Sequence, residues 1–228
     1  MQIWTHRGNP GVENTLEAFS QAWSDGITHF ETDIHCTKDN VLVLAHDPDI
    51  SRLTGQSYRI NELDLEQLQN FKINHTSPWA TLEDLYQKFP EAFISIDIKS
   101  DDALQPFIAW AQDKDLSNLI IGSFSTHRTL AFRKAFPLAR TALTTREIML
   151  INLGLSFLLR NLPSSLFAMV PVKFRGIKIY TSRFRKFCAS RGIEIHIWTI
   201  NNPAVAKNLK SLGASGIVTD DYLAFLTA

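Results

Sequence analysis

His29-Phe30-Glu31-Thr32-Asp33-Ile34-His35-Cys36-Thr37-Lys38-Asp39-Asn40-Val41-Leu42-Val43-Leu44-Ala45-His46-Asp47 is the stretch from which the architecture of this 228-residue chain is read. Phe30, Thr32 and Ile34 alternate with Glu31, Asp33 and His35, the period of a strand, so Glu31 and Asp33 share a face. Two carboxylates at that spacing repel each other or share a cation. Only Lys38, Asp39 and Asn40 separate this strand from the apolar run Val41 to Ala45. A parallel crossover takes about a dozen residues or more, so the connection is a hairpin. Folding back about it brings Ala45 and His46 alongside Glu31 and Asp33, and a charged pocket follows.

Outward from this stretch, strand and helix patterns alternate. Gln2 to Thr5 reads as a strand, Pro10 and Gly11 interrupt the chain, and Leu16, Phe19, Ala22 and Trp23 carry helical spacing, with Asn14 or Thr15 as N-cap and Gly26 as the stop. Residues 47–80 are polar, with one weak helix from Asp64 to Phe71, and read as a small insertion after the second strand. Strands are then expected at 92–99, 119–124, 140–144, 167–172, 194–200 and 216–220, separated by helical segments. Setting the hairpin arm aside, eight strands alternate with helices in one domain spanning 1–228, which argues for an α/β fold of the closed (β/α)8 barrel type. A doubly wound open sheet is the alternative, but no glycine-rich phosphate fingerprint follows the first strand.

Composition narrows the function. With 45% hydrophobic residues and 20% charged, the chain can bury one sizeable core. Lys plus Arg equals Asp plus Glu at 23 each, and the pI near 7.1 argues against nucleic acid as a partner. Cys36 and Cys188 stand far apart in sequence and read as buried thiols. No signal peptide is visible and no apolar run reaches the ~20 residues of a membrane span, so a cytoplasmic location is expected. Oligomeric state is not legible.

The polar residues fall toward the ends of the strand runs, where barrels of this kind place their chemistry. Glu31, Asp33 and Asp97 offer hard oxygen ligands of the sort that suit magnesium, calcium or manganese. The alternative for each is a structural ion pair with Arg7, Arg52 or Lys99. His6 and His46 come from different segments and both face the pocket, where an imidazole pair supplies a general acid and base. The other five histidines read as structural. Arg7 and Lys99 add the fixed positive charge that phosphoryl oxygens need. Metal-assisted chemistry on a phosphate ester is the reading these residues support.

The arrangement resembles the glycerophosphodiester phosphodiesterase family over nearly the whole chain. The motifs that carry the resemblance are His6-Arg7-Gly8 with Glu13-Asn14-Thr15-Leu16-Glu17-Ala18-Phe19, then Glu31-Thr32-Asp33 through Thr37-Lys38-Asp39 to His46-Asp47. Ile96-Asp97-Ile98-Lys99, Ser123-Phe124, Trp198-Thr199-Ile200-Asn201 and Gly216-Ile217-Val218-Thr219-Asp220 follow in order. The resemblance implies a TIM-type barrel with a small insertion, one divalent cation, and cleavage of glycerophosphodiesters to glycerol 3-phosphate and an alcohol. It implies His6 and His46 as the acid/base pair, Glu31, Asp33 and Asp97 as metal ligands, Arg7 and Lys99 as phosphate contacts and Trp198 as a wall of the substrate site. The chain departs from the family pattern at Val12, Asn40, Asp97 and Asp221-Tyr222, where proline, glycine, glutamate and proline are usual. Lysophospholipase D-type activity and a catalytically silent phosphodiester-binding barrel are the alternatives.

Met149 to Leu159 is apolar nearly all round and too short to span a bilayer. It reads either as an ordinary barrel helix or as part of a weak membrane-surface contact through residues 148–170.

Overall fold

The computed structural model describes residues 1–159 and 162–226. In chain order it contains β1 (Gln2–His6), α1 (Leu16–Ser24), β2 (His29–Cys36), β3 (Leu42–Leu44), α2 (Ser51–Thr54), α3 (Leu65–Gln69), α4 (Leu82–Lys88), β4 (Phe93–Ile98), α5 (Leu104–Trp110) and β5 (Leu119–Gly122). There follow α6 (Thr126–Ala135), β6 (Arg140–Ala142), α7 (Thr145–Leu153), β7 (Leu166–Pro171), the short strands β8 (Lys173–Phe174) and β9 (Ile177–Lys178), α8 (Ser182–Ser190), β10 (Glu194–Trp198), α9 (Pro203–Ser211), β11 (Gly216–Thr219) and α10 (Leu223–Leu226).

Eight parallel strands run β1-β11-β10-β7-β6-β5-β4-β2, and β2 pairs back onto β1, so the sheet closes on itself as a TIM barrel. The alternation in β2 is the reason the strand sits where it does. Phe30, Thr32 and Ile34 are fully buried against the surrounding helices, while Glu31 and Asp33 point into the barrel. Burying a Phe or Ile side chain contributes roughly 2 kcal/mol, and a one-residue slip would exchange those side chains for carboxylates. The hairpin is present as expected: β3 pairs antiparallel with β2, and Asn40 takes the left-handed conformation (φ 65) that the short turn needs and that asparagine tolerates better than most residues.

Two apolar layers lie between strands and helices, one around Phe30, Ile96 and Phe107, the other around Val170, Phe184 and Ile195. Inside the barrel the lower end is filled. Phe93, His29, Trp4, His196 and Phe167 contact one another ring to ring, and the Arg140 guanidinium lies over both Phe93 and Phe167, closing a circle. Burial here, helped by nearby His196, pushes the His29 imidazole down to about 4, which keeps that ring uncharged at neutral pH. The open end is therefore the one at the C-terminal edges of the strands.

Residues 47–80 depart from the expected polar stretch. Ile50, Ile60, Leu63, Leu68, Ile73 and Trp79 form a small core with Val43 and Ala45. The indole of Trp79 donates to the Phe71 carbonyl at 2.7 Å, and the Gln69 amide pairs with the Trp79 backbone in both directions. These apolar residues come one at a time from turns and short helices, so they leave no periodic trace.

Candidate active site

The loop after β1 is shaped by close approach. A Cβ on Gly8 or on Gly11 would meet the Ala18 methyl of α1 at 2.8 Å, so only glycine fits at either place. Packed down in this way, the loop holds Arg7 at φ 58, an uncommon conformation for a side-chain-bearing residue. Its backbone is pinned on both sides, Arg7 N–H to the Glu31 carbonyl at 2.9 Å and Asn14 N–H to the Arg7 carbonyl at 2.7 Å. The Arg7 side chain is thereby directed at Asp33, with Nε 2.9 Å from Oδ2.

Asp33 and Asp97 face each other across the neighbouring strands β2 and β4, in register as partners. Lys99 sits between them, its Nζ 2.8 Å from Asp33 Oδ1 and 2.9 Å from Asp97 Oδ2. Burial alone would lower the Lys99 ammonium, but Asp97 and Asp33 more than reverse that and its pKa is raised. The backbone beneath it is clamped by Arg128, which donates to the carbonyls of Ile98 and Lys99 at 3.0 and 2.6 Å, and by Ser123, whose hydroxyl donates to Ile98 at 2.6 Å. The ion-pair alternative is thus realised for Asp33 and Asp97, whereas Arg52 pairs elsewhere.

Glu31 lies beside them with its carboxyl pushed well up, by burial first and then by the charge of Asp33. Asp97 is raised as well, burial outweighing the help of Lys99. Among the described residues no three His, Cys, Asp or Glu side chains stand as a ready-made metal cage, because Lys99 and Arg7 lie against the carboxylates. Even so, Glu31 Oε2, Asp33 Oδ2 and Asp97 Oδ1 are buried without a hydrogen-bond partner, the Arg7 contact being close but not in hydrogen-bonding orientation. Three orphaned oxygens at one strand end cost free energy unless something meets them. All are hard donors, so the residues present fit a magnesium-, calcium- or manganese-type ion.

The two histidines are built alike. His6 Nδ1 is 2.6 Å from Asp220 Oδ1, and His46 Nδ1 is 2.7 Å from Asp47 Oδ1. An ionised carboxylate only accepts, so each Nδ1 carries a proton and each Nε2 is left to take or give one. Both aspartates are held low. For Asp220 burial is overcome by hydrogen bonds from His6 and Asn201, and for Asp47 by those from Arg52 and His46. His6 Nε2 faces Glu31 Oε2 at 3.7 Å, and burial, the largest influence, lowers its pKa despite Asp220. A chain of charges runs from the His46 dyad to Arg7, the residue next to His6, since Arg52 reaches both Asp47 at 2.6 Å and Glu13 at 2.6 Å, and Glu13 lies 3.9 Å from Arg7. His35 Nε2, 3.3 Å from the His46 carbonyl, supports the same corner.

Ion-pair contacts link Arg7, Asp33, Lys99 and Asp97 at one barrel mouth, His6 faces Glu31 beside them, and the Arg7 N–H bond to the Glu31 carbonyl joins the two groups. His46 joins through the Asp47-Arg52-Glu13 chain and through Ala45, whose N–H meets the Asp33 carbonyl at 3.0 Å. Trp198 reaches it by way of Phe124, their rings 5.8 Å apart, with Lys99 Nζ 5.6 Å from the Phe124 centroid. Sequence reasoning placed Asp220 and Asp47 near the strand ends without assigning them histidine partners, and it quoted Glu13 in a motif without giving it a partner, which is Arg52. The Asp47 dyad had a local signal in its adjacency to His46. Asp220 had none beyond its position, being 214 residues from His6.

A family model described as the glycerophosphoryl diester phosphodiesterase family matches residues 6–224. A Mycobacterium tuberculosis protein named "Probable glycerophosphodiester phosphodiesterase 2" is 31% identical over 233 residues, covering 94% of this chain and 85% of the relative. A lysophospholipase D of Homo sapiens is 26% identical, covering 95% of this chain and 82% of its own length. Among solved structures, a glycerophosphodiester phosphodiesterase from Thermotoga maritima superposes with a TM-score of 0.82 at 24% identity, over 99% of this chain and 96% of that one. A phosphodiesterase from Oleispira antarctica, solved with the product sn-glycerol-3-phosphate, gives 0.76 at 17% identity, over 96% and 93% of the two chains.

Proposed function

The chain belongs to the glycerophosphoryl diester phosphodiesterase family and is a hydrolase that cleaves glycerophosphodiesters to glycerol 3-phosphate and an alcohol, and from that premise we propose how its residues divide the work. His6 and His46 carry the protons: one, neutral, takes a proton at Nε2 from the attacking hydroxyl, and the other, protonated on both nitrogens, gives its Nε2 proton to the leaving alcohol. Their Nδ1 atoms are fixed by Asp220 and Asp47, so each Nε2 faces the reacting atoms in a set tautomer. Glu31, Asp33 and Asp97 would hold one divalent cation, which when bound supplies positive charge to a phosphoryl oxygen. With those carboxylates so engaged, Arg7 and Lys99 hold the phosphate, and Trp198 with Phe124 walls the alcohol side. Residues 47–80 act as an insertion in a single domain spanning 1–228, carrying Arg52 to the His46 corner.

The observation that carries this reading is the pair of carboxylate-bound imidazoles flanking three orphaned carboxylate oxygens. Purified protein given magnesium, calcium or manganese is expected to hydrolyse glycerophosphocholine and to stop on chelation. His6→Ala and His46→Ala should each lose about 10²-fold or more in kcat while keeping metal and fold, and Glu31→Gln should weaken metal binding by calorimetry. Equal metal loss in the histidine variants would put the imidazoles on the metal and end the assignment. Attack by water and attack by the substrate's glycerol hydroxyl are separated by product analysis in labelled water.

Lysophospholipid is the second substrate class, favoured by Phe124, which stands 54% exposed beside the phosphate cluster. The measurement is the ratio of kcat/KM for lysophosphatidylcholine over glycerophosphocholine, which Phe124→Ala should lower if an acyl chain lies there. We also place the reaction in the cytoplasm, a reading supported by two buried free thiols. No helix among the described residues is long and apolar enough to cross a membrane.

A further inference from the structure

Between Glu147 and Glu194 the chain has no acidic residue and eight basic ones. Because the whole chain balances at 23 and 23, this stretch carries a formal +8 and the remainder −8. The neutral total conceals a strong segregation. The β8–β9 hairpin exposes Lys173, Arg175 and Lys178, and α8 exposes Arg183 and Lys186. Among the described residues none of these five lies within ion-pair distance of a carboxylate. Expectation and structure part at 166–170, which form barrel strand β7, so the contact surface does not run through them; residues 160–161 lie outside the described part.

The cations are interleaved with apolar side chains that a water-facing surface does not need. Ile177 of the hairpin is 68% exposed, and Met149 and Leu153 of α7 are 57% and 62% exposed. In the 3-10 turn Ser156–Leu158, Phe157 is 67% and Leu158 56% exposed. The two groups belong to one face. Thr181 donates to the Asn152 side chain at 2.7 Å and Arg183 to the Asn152 carbonyl at 2.7 Å, tying the end of α7 to the start of α8 beside the hairpin. An open cleft lined by Asn152, Thr181, Ser182, Arg183 and Lys186 lies between. The face abuts the barrel mouth, since the Phe174 ring of the hairpin lies tilted 6.0 Å from that of Phe124, which meets Trp198 and Lys99.

Cations alone would suit any polyanion, and exposed aliphatic residues alone any apolar partner. Together on one face they match the headgroup boundary of a bilayer, where basic side chains meet lipid phosphates and Phe, Leu and Ile enter the acyl edge. We infer that this face docks the protein on an anionic lipid surface, with the hairpin tip and the 3-10 turn at the boundary and the barrel mouth turned toward it. The inference rests on charge and exposure, not on the diesterase reading.

Flotation of the purified protein with vesicles of phosphatidylcholine alone, and with a third of the lipid replaced by phosphatidylglycerol, tests it. Binding is expected on the anionic vesicles only and should fall as salt rises. Lys178→Glu/Lys186→Glu should lower the partition coefficient at least about 30-fold, from a contribution of about fivefold per basic residue near such a surface and more on reversal. Phe157→Ser/Leu158→Ser should lower it about tenfold, with melting temperature and turnover of glycerophosphocholine retained in both variants. No binding to anionic vesicles, equal binding to both vesicle types, or binding untouched by either variant would each overturn the inference. So would capture by duplex DNA without capture by vesicles. Protein that binds vesicles but cleaves no diester would instead count against the proposed residue roles.

Discussion

His6 and His46 arrive from different strands and are finished in the same way, each by an aspartate on Nδ1. An imidazole held in one tautomer is ready to exchange a proton at Nε2, and one that rotates or carries its proton on the wrong nitrogen is not. Asp220→Ala should therefore reduce kcat by about 10- to 100-fold with little change in KM, a part of the whole general acid/base contribution. In a His6→Ala background the same change should cost almost nothing, because the two residues act as a unit. Additive losses in the kinetics of the double variant would sink that idea. The clustering of Glu31, Asp33 and Asp97 with Arg7 and Lys99 was legible in the sequence because strand alternation and strand-end position locate them. The aspartate partners were not, since a contact between Asp220 and His6 exists only once the barrel has closed. Asn40 shows the opposite case, where a departure from the family's glycine is accommodated by a residue that tolerates φ 65.

At the level of elements, strands and long helices followed their patterns, and the helix read between the 167–172 and 194–200 strands is α8, Ser182–Ser190. The hairpin β8–β9 was not, because two two-residue strands leave no period to read. Connections between helices were equally hidden. Thr144 and Glu147 form a capping box at the start of α7, and Arg133 of α6 reaches across to Glu147 at 2.7 Å with both side chains nearly buried. Arg133→Met should leave the Glu147 charge uncompensated and destabilise the protein by about 3 kcal/mol in urea denaturation. A loss under 1 kcal/mol would show that the pair is dispensable. Cys188 on α8 makes a second test. Burial pushes its thiol up to about 12 from an ordinary value of 9.0. An unfolded chain releases that proton as pH passes about 9 and the folded one does not. Stability is accordingly full below the unfolded value and falls as pH rises toward 12, by at most about 1.4 kcal/mol per pH unit for one group. Cys188→Ala should flatten this alkaline limb, visible as a smaller drop in melting temperature between pH 8.5 and pH 10.

On the scale of the whole molecule, the barrel has no free edge among its eight parallel strands, and that follows from β1 lying between β2 and β11. The closed cycle was legible in the count and alternation of strands, whereas the segregation of charge stayed hidden in a net value of zero. Ile217 in β11 is fully buried in the layer beneath the helices. Ile217→Ala should cost about 3 kcal/mol, and the urea midpoints by far-ultraviolet circular dichroism and by tryptophan fluorescence should fall together. Separate midpoints would mean that the halves of the barrel unfold independently. Closure through β1 has a further consequence during translation. On the ribosome β1 emerges first and finds β2 soon after, but its other neighbour is the last barrel strand to be made. Until then the nascent sheet keeps one open side at β1 and another at whichever strand has just appeared. The growing chain thus resembles an unsealed ribbon that other unfinished chains can pair with, and its vulnerability to misassembly ends only when β11 slides between β10 and β1.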